Sequence, residues 1–301
     1  MVKELKNQFP MGLLCNSIGI SQQLYWLYKN GNIGIREEQE FQINAKMQEE
    51  FDESRQTYGL DRLLPKLRSD GVSIGKNRLS KFMKELDLKP RRKKRFIPKT
   101  TNSDHSNPVA KNLLPENESI TAINQVWQGD ITYIPTQEGW LYLAIVLDSY
   151  SRKVVGWSFS NSLATDIVSD AFKMAISRTS HRSADLMFHS DRGVQYTSKQ
   201  YRDLLAVYKI TPSMSRKGNC YDNAKSESFF STLKNELVHR LEYQTRKEAI
   251  LSIFEWIEVF YNRKRIHSSI GYQSPVDFEN INNLILKHKL VLVLKFSRDI
   301  S

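Results

Sequence analysis

The sequence predicts an α/β protein: a mixed five-stranded sheet with flanking helices, preceded by a small helical domain of helix-turn-helix character. Three observations predict it. Strand-type alternation and short apolar runs are confined to the middle of the chain, where they interleave with helix-spaced segments. Residues 1–88 carry helical spacing and few strand signals. A basic and then polar stretch, residues 89–124, separates the two zones. At 301 residues, two domains with connectors is the natural expectation. The boundaries read as 1–88, 89–124, 125–279 and a tail at 280–301.

In the first zone the clearest helix is Ser73 to Leu86. Leu79, Phe82, Met83 and Leu86 recur at i, i+3, i+4 and i+7 and make one apolar stripe, with Ser73 as a plausible N-cap. Lys76, Arg78, Lys81 and Lys84 lie mainly off that stripe. A preceding helical segment, Leu60 to Arg68, joins it through Ser69-Asp70-Gly71, so the pair resembles a helix-turn-helix whose second helix could enter a major groove. Pro65 is awkward within the first of these helices unless it starts or bends nearby. Judged alone, the second helix reads equally as an amphipathic helix with a solvated basic face. Leu24, Tyr25, Trp26 and Leu27 read as helical core. The linker opens with Lys89-Pro and the run Arg91, Arg92, Lys93, Lys94 and Arg95. With no acid among them these residues cannot fold on themselves, and they suit an arm along phosphates or a solvated tether.

The sheet begins with Val126–Ile134, whose alternation puts Gln128, Asp130 and Thr132 on one face. Aspartate is a poor strand former, and one in mid-strand usually needs a partner or a metal. Gln137-Glu138-Gly139 is a turn, and Leu141–Leu147 is an unbroken apolar run, as a strand buried on both faces should be. Asp148–Arg152 turns the chain into a third strand, Val154–Phe159. Thr165–Ile176 is helical. Leu186–Ser190 is a short strand ending at Asp191, Lys199–Val207 is helical, and Thr211–Ser215 is a short fifth strand. Asp222–Leu237 is a helix with Asp222 as its cap and Phe229, Phe230, Leu233 and Leu237 as its buried stripe. Glu227 stands at the edge of that stripe, where a side chain can reach the sheet's rim, and Glu236 lies nearer the stripe. Glu248–Tyr261 is a further amphipathic helix, with Phe254, Trp256, Ile257 and Phe260 expected in the core. The order β-β-β-α-β-α-β-α is that of the ribonuclease H fold. In that fold the centre of the first strand and the end of the fourth lie side by side, so Asp130 and Asp191 would converge and the later helix would bring Glu227.

Composition narrows the function classes. Hydrophobic content of 40% with 11% aromatics suits a packed core, and the net charge of +11 favours polyanionic partners. Cys15 and Cys220 are far apart, which argues against a disulfide framework or a zinc site. No apolar run approaches the ~18 residues of a membrane span, and the amino terminus lacks a signal-peptide core. A cytoplasmic protein without a membrane partner is expected. Three carboxylates suit Mg²⁺ or Mn²⁺, hard cations that prefer oxygen ligands; a pair of such ions can serve an in-line phosphoryl displacement. An arbitrary trio among 33 acids would be structural more often than catalytic.

The surroundings of the trio lift it. His189-Ser-Asp-Arg-Gly-Val-Gln-Tyr-Thr-Ser198, Asp222-Asn-Ala-Lys-Ser-Glu227 and Tyr261-Asn-Arg-Lys-Arg-Ile-His-Ser-Ser-Ile-Gly-Tyr-Gln-Ser-Pro275 resemble the second-reading-frame transposases of the large bacterial insertion-sequence family that shares its core with retroviral integrases. The likeness spans roughly residues 56–279, and 35 residues separate Asp191 from Glu227, the spacing after which the class is named. The resemblance implies that Asp130, Asp191 and Glu227 are metal-binding catalytic acids for DNA cleavage and strand transfer. It also implies copying out of the element as a DNA circle, then integration. Expected partners are the terminal repeats and target DNA, further copies of the chain on DNA, and an upstream-frame product or frameshift fusion; nucleoid association would follow from DNA binding. Arg216, Lys217, Asn219 and Lys234 surround the acids in sequence and are candidates for phosphate or base contacts, or plain surface charge. Asn262, Arg265 and His267 match the family's closing motif, as a loop bracing the catalytic helix or holding DNA. Asp148 reads as a turn-stabilising residue, Asp203 as helix surface, and His189 as a residue bonded to a neighbouring loop. A repressor without catalysis and a nuclease of the same fold are the competing readings.

Overall fold

The computed structural model describes residues 10–17, 22–31, 35–90, 107–114, 120–179, 183, 185–216 and 223–299. The Arg91–Arg95 arm, Lys217, Asn219 and Asp222 lie outside the described residues. The chain divides into two compact units, Met1–Pro90 and Arg91–Ser301.

The first unit is helical: α1 (Met11–Ser17), α2 (Gln22–Lys29), α3 (Ile35–Glu53), α4 (Leu60–Ser69) and α5 (Lys76–Glu85). Met47 and Phe51 of α3, Leu63 and Leu67 of α4, and Leu79, Phe82 and Met83 of α5 are buried and supply its core. The α4–α5 pair is joined as the sequence predicts. Gly71 takes φ +84°, and the Val72 and Gly71 amides return to the carbonyls of Leu67 and Arg68. This is the Schellman closure that glycine makes without Cβ strain. The expected cap does not form. Gly75, extended, precedes α5 and no side chain caps it, so Ser73 lies outside the helix. Leu86 also departs from the expected stripe. α5 ends at Glu85, Asp87 turns left-handed (φ +50°), and the Leu88 amide bonds the Met83 carbonyl. Leu88 is thereby buried and Leu86 is left 38% exposed. Pro65 sits inside α4, which continues through it without the amide bond that proline removes.

In the second unit the sheet order is β3-β2-β1-β4-β5. β1 (Val126–Thr136), β2 (Gly139–Asp148) and β3 (Val154–Ser160) form an antiparallel meander; β4 (Met187–Ser190) runs parallel to β1, and β5 (Thr211–Met214) parallel to β4. Leu143, Ala144, Ile145, Val146 and Leu147 are all buried, because β2 has helices on both of its faces. On one face α6 (Asp166–Arg178) packs so closely that a Cβ at Gly156 would stand 2.2 Å from the Ala171 carbonyl oxygen. Phe172, Phe188 and Tyr201 fill this side, with α7 (Val194–Thr197) and α8 (Lys199–Val207). On the other face α9 (Ala224–Glu236) and α10 (Arg246–Glu255) cover Ile134, Leu141, Leu143, Ile145 and Leu147.

α10 does not run on as one regular helix. Trp256–Tyr261 winds as a π-helix, which turns Trp256, Ile257, Phe260 and Tyr261 inward together. Phe254, expected in the core, is left 41% exposed with its ring 5.6 Å from that of Trp157. The tail belongs to α11 (Pro275–Asp299), on which Ile281, Leu284, Ile285 and Leu286 are exposed. Among the described residues no helix is long and apolar enough to cross a membrane.

Candidate active site

The parallel pairing of β1 with β4 ends at Gly129 opposite Ser190, so Asp130 and Asp191 emerge together at the rim of the sheet. Gly129 permits this packing: a Cβ there would lie 2.4 Å from Phe188 Cζ and 3.1 Å from Tyr196 Cε1, the rings beneath the strand. Asp130 Oδ1 accepts from the Ile131 amide at 2.8 Å, and Asp191 Oδ1 accepts from the Gly193 amide at 2.9 Å, which turns the chain sharply after β4. Arg192 donates to the Ser215 carbonyl at 2.7 Å and ties that turn to the end of β5.

Glu227 stands on the first turn of α9, its amide bonded to the Asn223 carbonyl. The start of α9 is docked on β1 by Ser226 Oγ, which donates to Gln128 Oε1 at 3.4 Å. Burial, then the neighbouring Asp191, raise the Asp130 carboxyl well above the usual carboxylate range; Glu227 adds to the rise, and the Ile131 amide and Lys234 oppose it. Partial desolvation also raises Glu227, which is otherwise exposed. Asp130 therefore feels both of the other acids across the rim. Among the described residues, however, no three His, Cys, Asp or Glu side chains stand close enough to form a metal-holding group. Asp130, in mid-β1, and Asp191, just after β4, stand where the pairing of the two strands ends, and Glu227 is exposed on α9. Their donor chemistry, carboxylate oxygens that repel one another, fits a hard divalent cation.

Lys234 and Arg265 are buried, unlike the exposed cations expected from the sequence. Lys234 is only 7% exposed, with its ammonium 4.6 Å from the centre of the Tyr133 ring. Burial lowers its pKa and Asp130 opposes the change. It is buried beside the acidic rim rather than standing on open surface. Arg265 is 3% exposed, and its Nε and Nη2 donate to Glu236 at 2.9 and 2.8 Å. Its buried guanidinium braces the end of α9, as in the bracing reading of the closing motif. Asn262 works beside it: its side chain bonds both the amide and the carbonyl of Val154, each at 3.0 Å, as a neighbouring strand would.

The other candidates sit as follows. Lys76, first residue of α5, and Lys81 are exposed, in pairs with Asp61 (3.2 Å) and Glu85 (3.5 Å); Arg78 pairs with Glu40 (3.0 Å). Exposed pairs of this kind contribute little to stability. Arg216 is exposed just after β5. His189 is fully buried against Ser213 Oγ (2.9 Å), and Asp203 pairs with Lys199 on the surface of α8. Asp148 accepts from the amides of Asn124, Tyr150 and Ser151, the turn-stabilising role expected of it; burial nonetheless pushes its carboxyl up to about 6. Sequence reasoning missed Lys225, which donates to the Ser149 carbonyl at 2.9 Å and is lowered to about 8 by burial and by Arg152. Nothing in local pattern marks a lysine that will be half-buried by a distant turn.

Comparison with known proteins gives a consistent result. Residues 121–220 match an integrase core domain family, residues 208–275 a second integrase core domain family, and residues 36–96 an HTH-like domain family. The chain is 41% identical over 265 residues to the uncharacterized 31 kDa protein of insertion element IS600 from Shigella sonnei, covering 88% of this chain and 97% of that one. It is 41% identical over 241 residues to the transposase for insertion sequence element IS904 from Lactococcus lactis, covering 80% and 94%. It is 35% identical over 283 residues to the transposase InsF for insertion sequence IS3A from Escherichia coli, covering 93% and 98%. Among solved structures, the HTLV-2 integrase catalytic core domain in complex with magnesium aligns over 56% of this chain and 99% of that one, at 18% identity and a TM-score of 0.40.

Proposed function

The chain belongs to the insertion-sequence transposases with an integrase-type core, and we propose that Asp130, Asp191 and Glu227 are the acids that carry its reaction. The reaction itself is that of a polynucleotidyl transferase: DNA is cleaved at the ends of a mobile element and the freed strand is transferred to new DNA. The observation that carries the assignment is the rim of β1 and β4, where Asp130 of one strand meets Asp191 at the end of the parallel strand beside it, and Asp191 and Glu227 both add to the proton affinity of Asp130. In a site with that much negative charge, deprotonated carboxylates are sustained by cations.

Two Mg²⁺ or Mn²⁺ ions are the cofactors this donor set suits, with Asp130, Asp191 and Glu227 as ligands. Held by these three acids, such ions would supply activation of a water or a 3′-hydroxyl and stabilisation of the leaving oxygen in an in-line displacement. The chain's own groups hold the acids for that task. The Ile131 and Gly193 amides fix one oxygen of each aspartate, and Ser226 seats α9 so that Glu227 overhangs the pair. Lys234 tempers the charge of Asp130.

Residues 1–88 serve as the DNA-binding domain, with Lys76, Arg78 and Lys81 on the phosphates, and residues 125–279 as the catalytic core. The 89–124 linker contributes Arg91, Arg92, Lys93, Lys94 and Arg95 as an arm along DNA, and Arg216, Lys217 and Asn219 extend the contact beside the acids. The terminal repeats and target DNA are the substrates, several copies act together on them, and a product of an upstream reading frame joins the assembly; the chain works in the cytoplasm on the nucleoid. The test is Asp130→Asn, Asp191→Asn and Glu227→Gln, assayed on end-containing DNA with and without Mg²⁺ for nicked and joined products. Each variant is expected to bind DNA and to lose both products. Full activity in any one removes the assignment, and salt-sensitive binding without nicking by the unaltered protein would favour the repressor reading instead.

A further inference from the structure

At the foot of α9 two cations come together without an ion-pair partner among the described residues. Lys225, half-buried on the first turn, donates to the Ser149 carbonyl at 2.9 Å. Arg152, also half-buried, stands in the turn that joins β2 to β3, near enough for its charge to act on the Lys225 ammonium. The acids nearby are engaged elsewhere. Asp148 accepts from the Asn124, Tyr150 and Ser151 amides, and Glu279 holds Lys153 at 2.6 Å and the Ser151 hydroxyl at 2.8 Å. Asp148 attracts Lys225 through space, which still leaves one of the two positive charges unbalanced.

Two further features single this place out. Arg152 takes a left-handed backbone, φ +65°, which a residue with a Cβ adopts at a cost and glycine adopts freely. A residue held there with a half-buried, unpaired charge works against the fold on both counts, and such strain gathers at sites of function. Ser149 is 3% exposed, and its hydroxyl has no hydrogen-bond partner among the described residues. No side chain caps α9. Two cations, a spare hydroxyl and an uncapped helix N-terminus are the parts of a phosphate site.

The group lies on the side of the sheet where the acids lie. Asp130 is paired with Ile145, whose side chain is in the core under α9, and Arg152 acts on Tyr261, whose ring is 4.8 Å from that of Phe229 on α9. Lys225 precedes Glu227 by two residues on one helical turn, and Asp148 is paired with Trp127, three residues along β1 from Asp130. At ~3.3 Å per residue the turn is roughly 10 Å from the acids, a separation that about three nucleotides of a strand span.

We infer that Arg152 and Lys225 hold one backbone phosphate of the bound DNA, distinct from the phosphate that reacts. This rests on the reading of DNA as the substrate of Asp130, Asp191 and Glu227. Because Lys225 and Glu227 share a turn of α9, the contact fixes the DNA relative to the helix that carries the third acid.

The test uses the full chain and end-containing duplexes in EDTA, each with one uncharged methylphosphonate linkage at a successive position within five nucleotides of the end on either strand. At one position the unaltered protein is expected to lose about tenfold in affinity, as loss of a charge-assisted contact does. Arg152→Gly and Lys225→Gln should each lose as much on the unmodified duplex, and neither should lose more on the duplex neutral at that position. Their salt slope should fall in magnitude by about 0.9, the share of one phosphate. Lys225→Arg, which keeps the charge, should retain the contact. Arg152→Gly, freed of the left-handed strain and the unpaired charge, should melt no lower than the unaltered protein. A smaller folded fraction lowers binding equally on every duplex and cannot produce a position-specific coupling. Absence of coupling at every position, or an unchanged slope, overturns the site; a lowered Tm in Arg152→Gly without coupling marks the arginine as structural. A Tm rise with inorganic phosphate that Arg152→Gly abolishes, again without coupling, assigns the pair to free phosphate and overturns the DNA contact. Binding in EDTA does not depend on cleavage, and Asp130→Asn should keep the coupling, so this failure is separable from failure of the acids, which the cutting assay reads.

Discussion

Asp130 shows how one residue can work against the fold that holds it. Its carboxyl, with an ordinary pKa near 3.8, is raised well above that by burial and by Asp191. The folded state therefore holds this proton more tightly than the unfolded chain does. By linkage the contribution runs opposite to that of a salt-bridged aspartate: without metal, stability falls as pH climbs from about the unfolded value through the raised one, and the loss is complete above it. Asp130→Asn removes the charge and keeps the shape, so it is expected to raise Tm at neutral pH in EDTA, by about 0.5–2 kcal/mol of stability, the usual range when a functional group is sacrificed. An unchanged or lowered Tm would contradict the electrostatic account. The same proton should be displaced when a cation binds. Calorimetric titration with Mg²⁺ in buffers of different ionisation enthalpy is expected to show proton release, diminished in Asp130→Asn, with affinity rising as pH rises.

At the scale of elements, α9 is the component whose placement decides the site, and it is fastened at both ends. Ser226 meets Gln128 at its start, and Glu236 meets Arg265 at its close. Arg265 and Glu236 are 3% and 10% exposed, so Arg265→Met strands a buried carboxylate. The expected loss is about 3–5 kcal/mol, while the double change Arg265→Met with Glu236→Leu should recover much of it. Chemical denaturation of the single and double variants measures this; additive losses would mean that the pair is not coupled. Arg265 also shows what a sequence can and cannot convey. The helices and strands were legible because their apolar spacing is local; Asp130 stood out because an acid in mid-strand is anomalous, and Asp191 and Glu227 because the spacing between them is distinctive. Whether a basic residue faces solvent or a carboxylate 29 positions away is decided only by tertiary packing. Arg265 and Lys234 were therefore expected on DNA, and both are buried. Leu86 and Ser73 were displaced for a similar reason, since the left-handed turn at Asp87 and the extended Gly75 set the ends of α5 without a periodic signal.

For the whole molecule the governing quantity is charge. The net +11 is the sum of 44 basic and 33 acidic residues, and those that meet DNA are read from the salt dependence of binding rather than from the total. Each phosphate neutralised on duplex DNA releases counterions and contributes about −0.9 to the slope of log affinity against log salt. Lys76, Arg78 and Lys81 lie together on α5, within a unit that closes its own core through Leu63, Leu67, Leu79 and Phe82. Changing all three to Gln leaves that core untouched. It is expected to lower the magnitude of the slope by about 2–3, and to do so equally on element ends and on unrelated duplex if these residues meet phosphates alone. Because Lys76 begins the helix, where a recognition helix meets base edges, Lys76→Gln by itself should also narrow the preference for element ends over unrelated DNA. Fluorescence anisotropy on both duplexes between 50 and 200 mM salt separates the two effects on the scale where they are largest. A slope left intact by the triple change would move the DNA-binding surface of this unit off α5, and the electrostatic contact would then fall to the arm at residues 91–95.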